Sequence, residues 1–448
     1  MAETAISERM ENTPIPQLIF KSSVPLMIST LASSMYRLVD SMFVSRISEK
    51  ALTATTIAFP ITLVLFAITI GTAMGVNSRM SRFLGEGEVT DARETGWTGI
   101  VLAVFSCIPF MLIGAVGLPF IFPLLTTDVE VSAMGQVYSQ ITLLFCIGQF
   151  FASMGARLLQ ATGNAGLSMA TQLTGTALNC VLDPIMIFGW LGFPAMGIRG
   201  AAIATVLSQC VSGGLSTVLY FVKNPSLQLH RQDLRVRFDL AGEIYHVAVP
   251  TMVTMALNSI LLMVTNRILQ SISNTAIAFY GVFSKLQNFM FMPVNGLSQG
   301  IVPVIGYFYG AKNGERLRSA VSFALKLGVG VMAVGTVIFC LFPALLMSLY
   351  APSQEMLAIG RVGLRLLAIS FVPLAFVLIF GNVFTAMGNG LVNMRCSMVR
   401  GILPIPLLLL LIRFTGTSWC WLAFVLADCI AAMYAIRCYQ KISHSKAP

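Results

Sequence analysis

The sequence predicts an all-α polytopic membrane protein with about twelve transmembrane helices in two six-helix lobes, related by a pseudo-twofold axis along the membrane normal. Three observations predict it. Hydrophobic residues make up 56% of the 448 residues and charged residues 10%, and the mean hydropathy is +0.82; soluble domains are about a quarter charged. Apolar stretches of about 20 residues, enough to span a hydrocarbon core of about 30 Å, recur from end to end, which selects bundled helices over barrel strands. Finally, the offset that carries Gly75 onto Gly300 also carries Val24-Pro25 onto Val249-Pro250, Gly71 onto Gly296, Phe83 and Gly85 onto Phe308 and Gly310, and Gly163-Asn164 onto Gly388-Asn389. Any one match is cheap, but a shared offset across all of them marks an internal repeat.

The first lobe, residues 17–222, follows a polar segment, residues 1–16, whose Glu3, Glu8 and Glu11 and missing apolar core exclude a cleavable signal peptide. Its spans read as Gln17 to Val44, Ala51 to Ser78, Trp97 to Leu124, Gly135 to Leu159, Leu167 to Trp190 and Gly197 to Phe221. Residues 223–242, the longest polar stretch, hold Asn224-Pro225, Lys223, Arg231, Arg235 and Arg237, with His230 and Asp233, and read as the linker between lobes. The second lobe, residues 243–439, repeats the pattern: Glu243 to Gln270, Ala276 to Tyr307, Val321 to Met347, Leu357 to Phe384, Ser397 to Leu411 and Ser418 to Ile436, before a tail at 440–448. Six spans per lobe is an even number, so both lobes share one orientation and enclose a cleft. Gly85 and Gly310, and the pairs Gly163-Asn164 and Gly388-Asn389, are expected in turns where the chain reverses.

Orientation follows from the basic residues. Arg79, Arg82 and Arg93 fall in one connection, the linker in the next, then Lys312, Arg316 and Arg318, then Arg395 and Arg400, then Arg437, Lys441 and Lys446. The alternate connections hold mainly Arg46, Lys50, Arg199 and Arg413, so the positive-inside rule puts both termini in the cytoplasm. The net charge of +10 is therefore topological and does not point to nucleic acid. Nine scattered cysteines without a CxxC pair indicate neither a disulfide framework nor a zinc site.

Asp183 lies inside the apolar run Leu178 to Phe188. A carboxylate there costs roughly 2.5 to 3.5 kcal/mol on insertion scales, which makes it a functional-site residue by default. Asn179 precedes it by one turn on the same face, so an amide and a carboxylate converge on one proton or small cation. The alternative is an Asp that caps a helix broken by Pro184.

Five motifs together resemble the multidrug and toxic compound extrusion (MATE) transporters, and within them the DinF-like branch. They are Met35-Tyr36-Arg37-Leu38-Val39-Asp40, Arg82-Phe83-Leu84-Gly85-Glu86-Gly87, Leu159-Gln160-Ala161-Thr162-Gly163-Asn164, Leu178-Asn179-Cys180-Val181-Leu182-Asp183-Pro184, and Gly197-Ile198-Arg199-Gly200-Ala201-Ala202-Ile203-Ala204-Thr205. The resemblance covers nearly the whole chain. It implies an antiporter of the bacterial inner membrane that exports amphipathic, often cationic organic compounds in exchange for H+ or Na+ by alternating access. It also implies a monomer among membrane lipids, with no cofactor and no nucleic acid partner. By resemblance the ion-coupling roles fall on Asp40, Asn179, Asp183 and Thr205; the first three are oxygen donors within apolar helices, of the kind a hard cation such as Na+ prefers. Burial favours the protonated acid and a bound cation favours the carboxylate, so both ions can compete for one site.

The sequence departs from the family pattern at two places. The seventh and tenth spans offer Asn258, Asn266 and Asn382 where some members carry acids. Arg37, one turn before Asp40, either pairs with it or faces another side. Arg37, Tyr36, Lys285, Gln287 and Asn288 are cleft candidates for substrate, and Asp428 is expected to pair with Lys285 or Lys326. Met and Phe side chains at the cleft would supply an adaptable surface. A flippase for lipid-linked or polysaccharide precursors is the competing transport reading, disfavoured by the scarcity of basic residues in the spans. An enzyme is disfavoured because there is no HExxH or GxSxG motif, and His230, His246 and His444 lie away from span centres.

Overall fold

The structure is a computed structural model that describes residues 10–227, 237–270, 273–350, 353–415 and 419–445. The linker residues His230, Arg231, Asp233 and Arg235, and Lys446 of the tail, lie outside the described residues. All regular structure described is helical. The first lobe comprises α1 (Ile15–Ser45), α2 (Glu49–Glu86), α3 (Val89–Leu125, continuous through a π-helical turn at Ile113–Gly117), α4a (Val129–Leu144) with α4b (Ile147–Ala161), α5 (Ala165–Phe188) and α6 (Ile198–Lys223). The second comprises α7 (Phe238–Gln270), α8 (Asn274–Gly310), α9 (Gly314–Leu341), α10a (Gln354–Ala368) with α10b (Phe371–Ala386), α11a (Gly390–Ile402) with α11b (Pro404–Thr415), and α12 (Leu422–Ser445).

Among the described residues nine of these helices are long and apolar enough to cross a membrane, and two bent pairs qualify as whole spans, α4a–α4b at 49° and α10a–α10b at 46°. The two bends fall at equivalent places in the two lobes. The remaining span, α5, carries Gln172, Asn179 and Asp183 within its length, so the most polar helix is the one with the intramembrane acid. It is not broken at Pro184. It runs on to Phe188 and stops at Gly189, whose φ of 77° is the left-handed conformation that glycine adopts without strain.

Helices extend past the expected spans at the end where the termini lie. Because α2 continues to Glu86, Arg79 and Arg82 sit on a helix and not in a connection, and Arg400 likewise lies on α11a. Gly85 and Gly310 are also helical, which corrects their expected place in turns. The chain reverses two residues later, at Gly87 (φ 81°) and at its repeat equivalent Lys312 (φ 54°). Gly163 and Gly388 do turn the chain, with φ of 75° and 82°.

The two lobes meet where α1 packs on α8 and α2 packs on α7 and α8. Glycine makes this approach possible. A Cβ on Gly71 would collide with Met252, and one on Gly296 would collide with Met27; one on Gly85 would meet the Tyr307 carbonyl, and one on Gly310 the Arg82 carbonyl. Each collision has its counterpart 225 residues away, so the seam is a two-fold interface written twice in one chain. Ser78 Oγ donates to the Thr385 carbonyl at 2.6 Å, and Arg79 pairs with Glu243, closing the seam beside the termini.

Within the second lobe Asp428, 5% exposed, receives the Nε–H of Arg400 at 3.0 Å. This replaces the expected partners Lys285 and Lys326. The reason is packing: α11a lies along α12, whereas Lys285 on α8 stands over the Tyr350 ring at 5.8 Å. Removing one partner of a buried pair strands the other charge, so Arg400→Met should lower stability by about 3 to 5 kcal/mol, seen as a lower Tm in detergent. Arg400→Met combined with Asp428→Leu should recover most of that loss. A double variant as unstable as the single one would contradict a role in local pairing.

Candidate functional site

Three helices of the first lobe bring the predicted polar residues together. Asp183 on α5 is fully buried and Asn179, one turn earlier, is 2% exposed. With the amide turned so that both its ends meet complementary partners, its nitrogen donates to Asp183 Oδ2 at 2.8 Å and to the Tyr36 hydroxyl at 3.3 Å. Its oxygen accepts from the backbone N–H of Thr205 on α6 at 3.1 Å. Asp40, one turn beyond Tyr36 on α1, places its carboxyl in hydrogen-bond contact with that of Asp183. Tyr138 of α4a brings a second phenol within reach of the Thr205 hydroxyl.

The site is short of donors. Asp183 Oδ1 receives no hydrogen bond from a described residue, although buried acceptors are almost always paired. Two carboxyl groups in contact repel when both are ionised, and one proton or one small cation between them removes the repulsion. The arrangement can therefore hold and release one positive charge. Each of its three walls belongs to a different helix, so occupancy bears on how α1, α5 and α6 pack.

Arg37 takes no part in this cluster. No ion pair with Asp40 occurs among the described residues; its guanidinium lies 5.8 Å from the centroid of the Phe66 ring and faces a chamber of about 450 Å³. The chamber is walled by α1, α2, α4b, α5, α6 and, from the second lobe, Gln299 of α8. It shares Tyr36, Asn179 and Thr205 with the acid cluster, so the two sites have a common wall. Of the other cleft candidates, Lys285, Gln287 and Asn288 do not line it. Arg157 of α4b does, and sequence reading passed over it. Its guanidinium donates to Gln160 Oε1 at 2.9 Å and, across the lobe boundary, to Gln299 Oε1 of α8 at 2.6 Å.

A family model described as MatE matches residues 25–185 and again residues 250–410. The chain belongs to the MatE family. The two MatE matches are themselves 225 residues apart, the spacing of the internal repeat. The chain is similar to a protein named FAD transporter from Shewanella oneidensis, at 25% identity with 89% of this chain and 88% of the other aligned. It is also similar to the multidrug export protein MepA of Staphylococcus aureus, at 25% identity over 95% and 94% of the two chains. A solved structure described as the outward-facing conformation of a multidrug resistance MATE family transporter superposes with a TM-score of 0.89, at 21% identity and 98% coverage of both chains, and so shares the fold. Membership makes the chain a multi-pass membrane transporter and not an enzyme.

The MatE fold is duplicated here, but the acid cluster is not. The repeat carries Asp40 onto Thr265, Asn179 onto Pro404 and Asp183 onto Leu408. Thr265 and Leu408 are buried at 5% and 1% exposure, so the second lobe packs uncharged side chains where the first holds its acids. Asn382 turns its amide back to the Leu378 carbonyl of its own helix at 3.1 Å.

Proposed function

We propose that this chain is a secondary antiporter of the bacterial inner membrane, with both termini cytoplasmic, that exports amphipathic organic compounds by alternating access in exchange for protons. The observation that carries the reading is the contact between Asp40 and Asp183. Two carboxyl groups in hydrogen-bond contact share one proton, with the Asn179 amide beside them as a hydrogen-bonding partner. Because Tyr36, Asn179 and Thr205 also line the chamber, proton arrival and substrate occupancy act on the same side chains, and a ligand drives rocking only through its different affinity for the two states. Similarity to proteins named for multidrug export supports organic cargo, and the FAD transporter widens that range beyond drugs.

Proteoliposomes holding the full chain and a fluorescent cargo should expel it when a proton gradient is imposed without sodium. Export that requires sodium and ignores the proton gradient would overturn the choice of ion. The two lobes should also differ. Asn179→Ala should impair the pH-dependent change in intrinsic tryptophan fluorescence, while Asn266→Ala and Asn382→Ala should leave it within error of the parent. The reverse pattern would move the coupling site to the second lobe.

A further inference from the structure

The chamber beside the acid cluster is positively charged. Its 24 lining residues include Arg37 and Arg157 and not one Asp or Glu. Asp40 and Asp183 lie behind the shared wall, and the proton they share leaves one negative charge there against the two arginines of the chamber. The rest of the lining is rich in hydroxyls and amides, from Ser29 and Ser33 on α1 through Gln149 and Ser153 on α4b to Gln172 and Gln209. Most of these are neutral hydrogen-bonding groups that favour neither sign of charge. The arginines decide the sign.

Arg157 is the sharper of the two. It lies on a membrane-spanning helix, and its recorded partners are the neutral oxygens of Gln160 and Gln299. A charge at such depth is ordinarily paired or faces a functional cavity. A guanidinium has five N–H donors in a planar fork, and these two bonds leave donors free to engage a carboxylate or phosphate. Ser29 adds an open hydrogen-bonding group to the lining: it is 2% exposed, lines the chamber, and its Oγ has no hydrogen-bond partner among the described residues, so it can donate to a ligand oxygen. A volume of about 450 Å³ suits one drug-sized molecule.

We propose that the chamber binds an organic anion, an aromatic or otherwise amphipathic body bearing a carboxylate or phosphate group that seats on Arg157 with Arg37 adding to the field, and not the organic cation that the family resemblance suggests. The inference rests on the export reading above and narrows its cargo. It also gives the Arg157–Gln299 bond a place in the cycle. That bond joins the two lobes beside the chamber, and an anion seated on the neighbouring donors of the same guanidinium draws the group toward itself, so cargo loosens a contact of the seam.

Fluorescein and rhodamine 123 share a xanthene body and differ in charge, the first an anion and the second a cation. Binding to the purified full chain, followed by fluorescence polarisation, should favour fluorescein, and a proton gradient should expel it from proteoliposomes. Arg157→Gln should weaken fluorescein binding about tenfold or more, the range expected when a charge-assisted hydrogen bond is lost. Arg157→Lys, which keeps the charge, should retain most of the binding, and Arg37→Gln should weaken it to a smaller degree. Preference for rhodamine 123, no binding of fluorescein, or fluorescein binding unchanged in both Arg157→Gln and Arg37→Gln would each overturn the proposal. Gradient-driven expulsion of rhodamine 123 would do so while leaving coupled export intact. Fluorescein that binds through Arg157 but moves under no ion gradient would instead uphold the chamber and overturn the export reading.

Discussion

Asp183→Asn is expected to reduce gradient-driven export to the passive leak of the vesicle while leaving the protein folded, inserted and at least as stable as the parent. The side chain is fully buried and accepts from Asn179 at 2.8 Å, and an amide of the same size can keep that contact through its oxygen. What it cannot do is gain or lose a proton. Removing an ionisable group from a membrane-spanning helix also relieves an insertion cost of roughly 2.5 to 3.5 kcal/mol, so Tm should hold or rise as activity disappears. That opposition separates a coupling residue from a structural one, whose loss would lower both. Parental export by Asp183→Asn under a limiting gradient would remove the obligatory role, and a fall in Tm with partial activity would point to packing.

The second large effect is expected at the seam. Gly300→Val should hold the lobes apart at the end that carries the termini, because the added Cβ would lie 2.5 Å from both Cα and Oγ of Ser23, nearer than real Cβ contacts come. Overpacking of this kind costs about 1 to 3 kcal/mol, and a bias of that size shifts a two-state equilibrium by roughly 5- to 150-fold. Spin labels at Lys21 on α1 and Lys312 beyond α8 should report longer distances, and export should slow because the closed state is rarely reached. Gly330→Val on α9, where a Cβ meets nothing within 4 Å, is the control and should change neither. A parental distance distribution in Gly300→Val would show that the seam tolerates a side chain and does not gate access.

Much of this architecture is legible in the sequence because lipid imposes strict rules. Every span had to be apolar and about 20 residues long, so their order and number could be read directly, and the repeat fixed which helices are equivalent. Asp183 and Asn179 were legible together because one helical turn separates them, and a local period needs no tertiary knowledge. Asp40 was legible as a carboxylate in an apolar helix and Thr205 only by resemblance, and resemblance alone brought either to Asp183, since nothing in one sequence says that α1 and α6 flank α5. Tyr138 had no signal of its own, for its place depends on the bend between α4a and α4b. Arg157 did have one. It is a charge in an apolar span, the same argument that singled out Asp183, but it lies near the end of the expected fourth span, where a basic residue passes for an interfacial anchor. The partner of Asp428 and the direction of Arg37 were not legible for a further reason: each depends on which face of one helix meets another. The seam glycines showed the offset but not their purpose, because close approach between helices leaves only small residues as its trace in either chain segment.

The central claim is that one proton is held between Asp40 and Asp183 and exchanged with cargo. Infrared difference spectroscopy of the reconstituted chain, stepped between acidic and alkaline pH, reads it most directly through the carbonyl stretch of a protonated carboxyl group. A protonated-acid band should be present in the parent at acidic pH, vanish on alkalinisation, and be lost or displaced in both Asp40→Asn and Asp183→Asn. It should persist in Asp428→Asn. A band that survives unchanged in Asp40→Asn and Asp183→Asn, or that responds to sodium at constant pH and not to protons, would contradict the account.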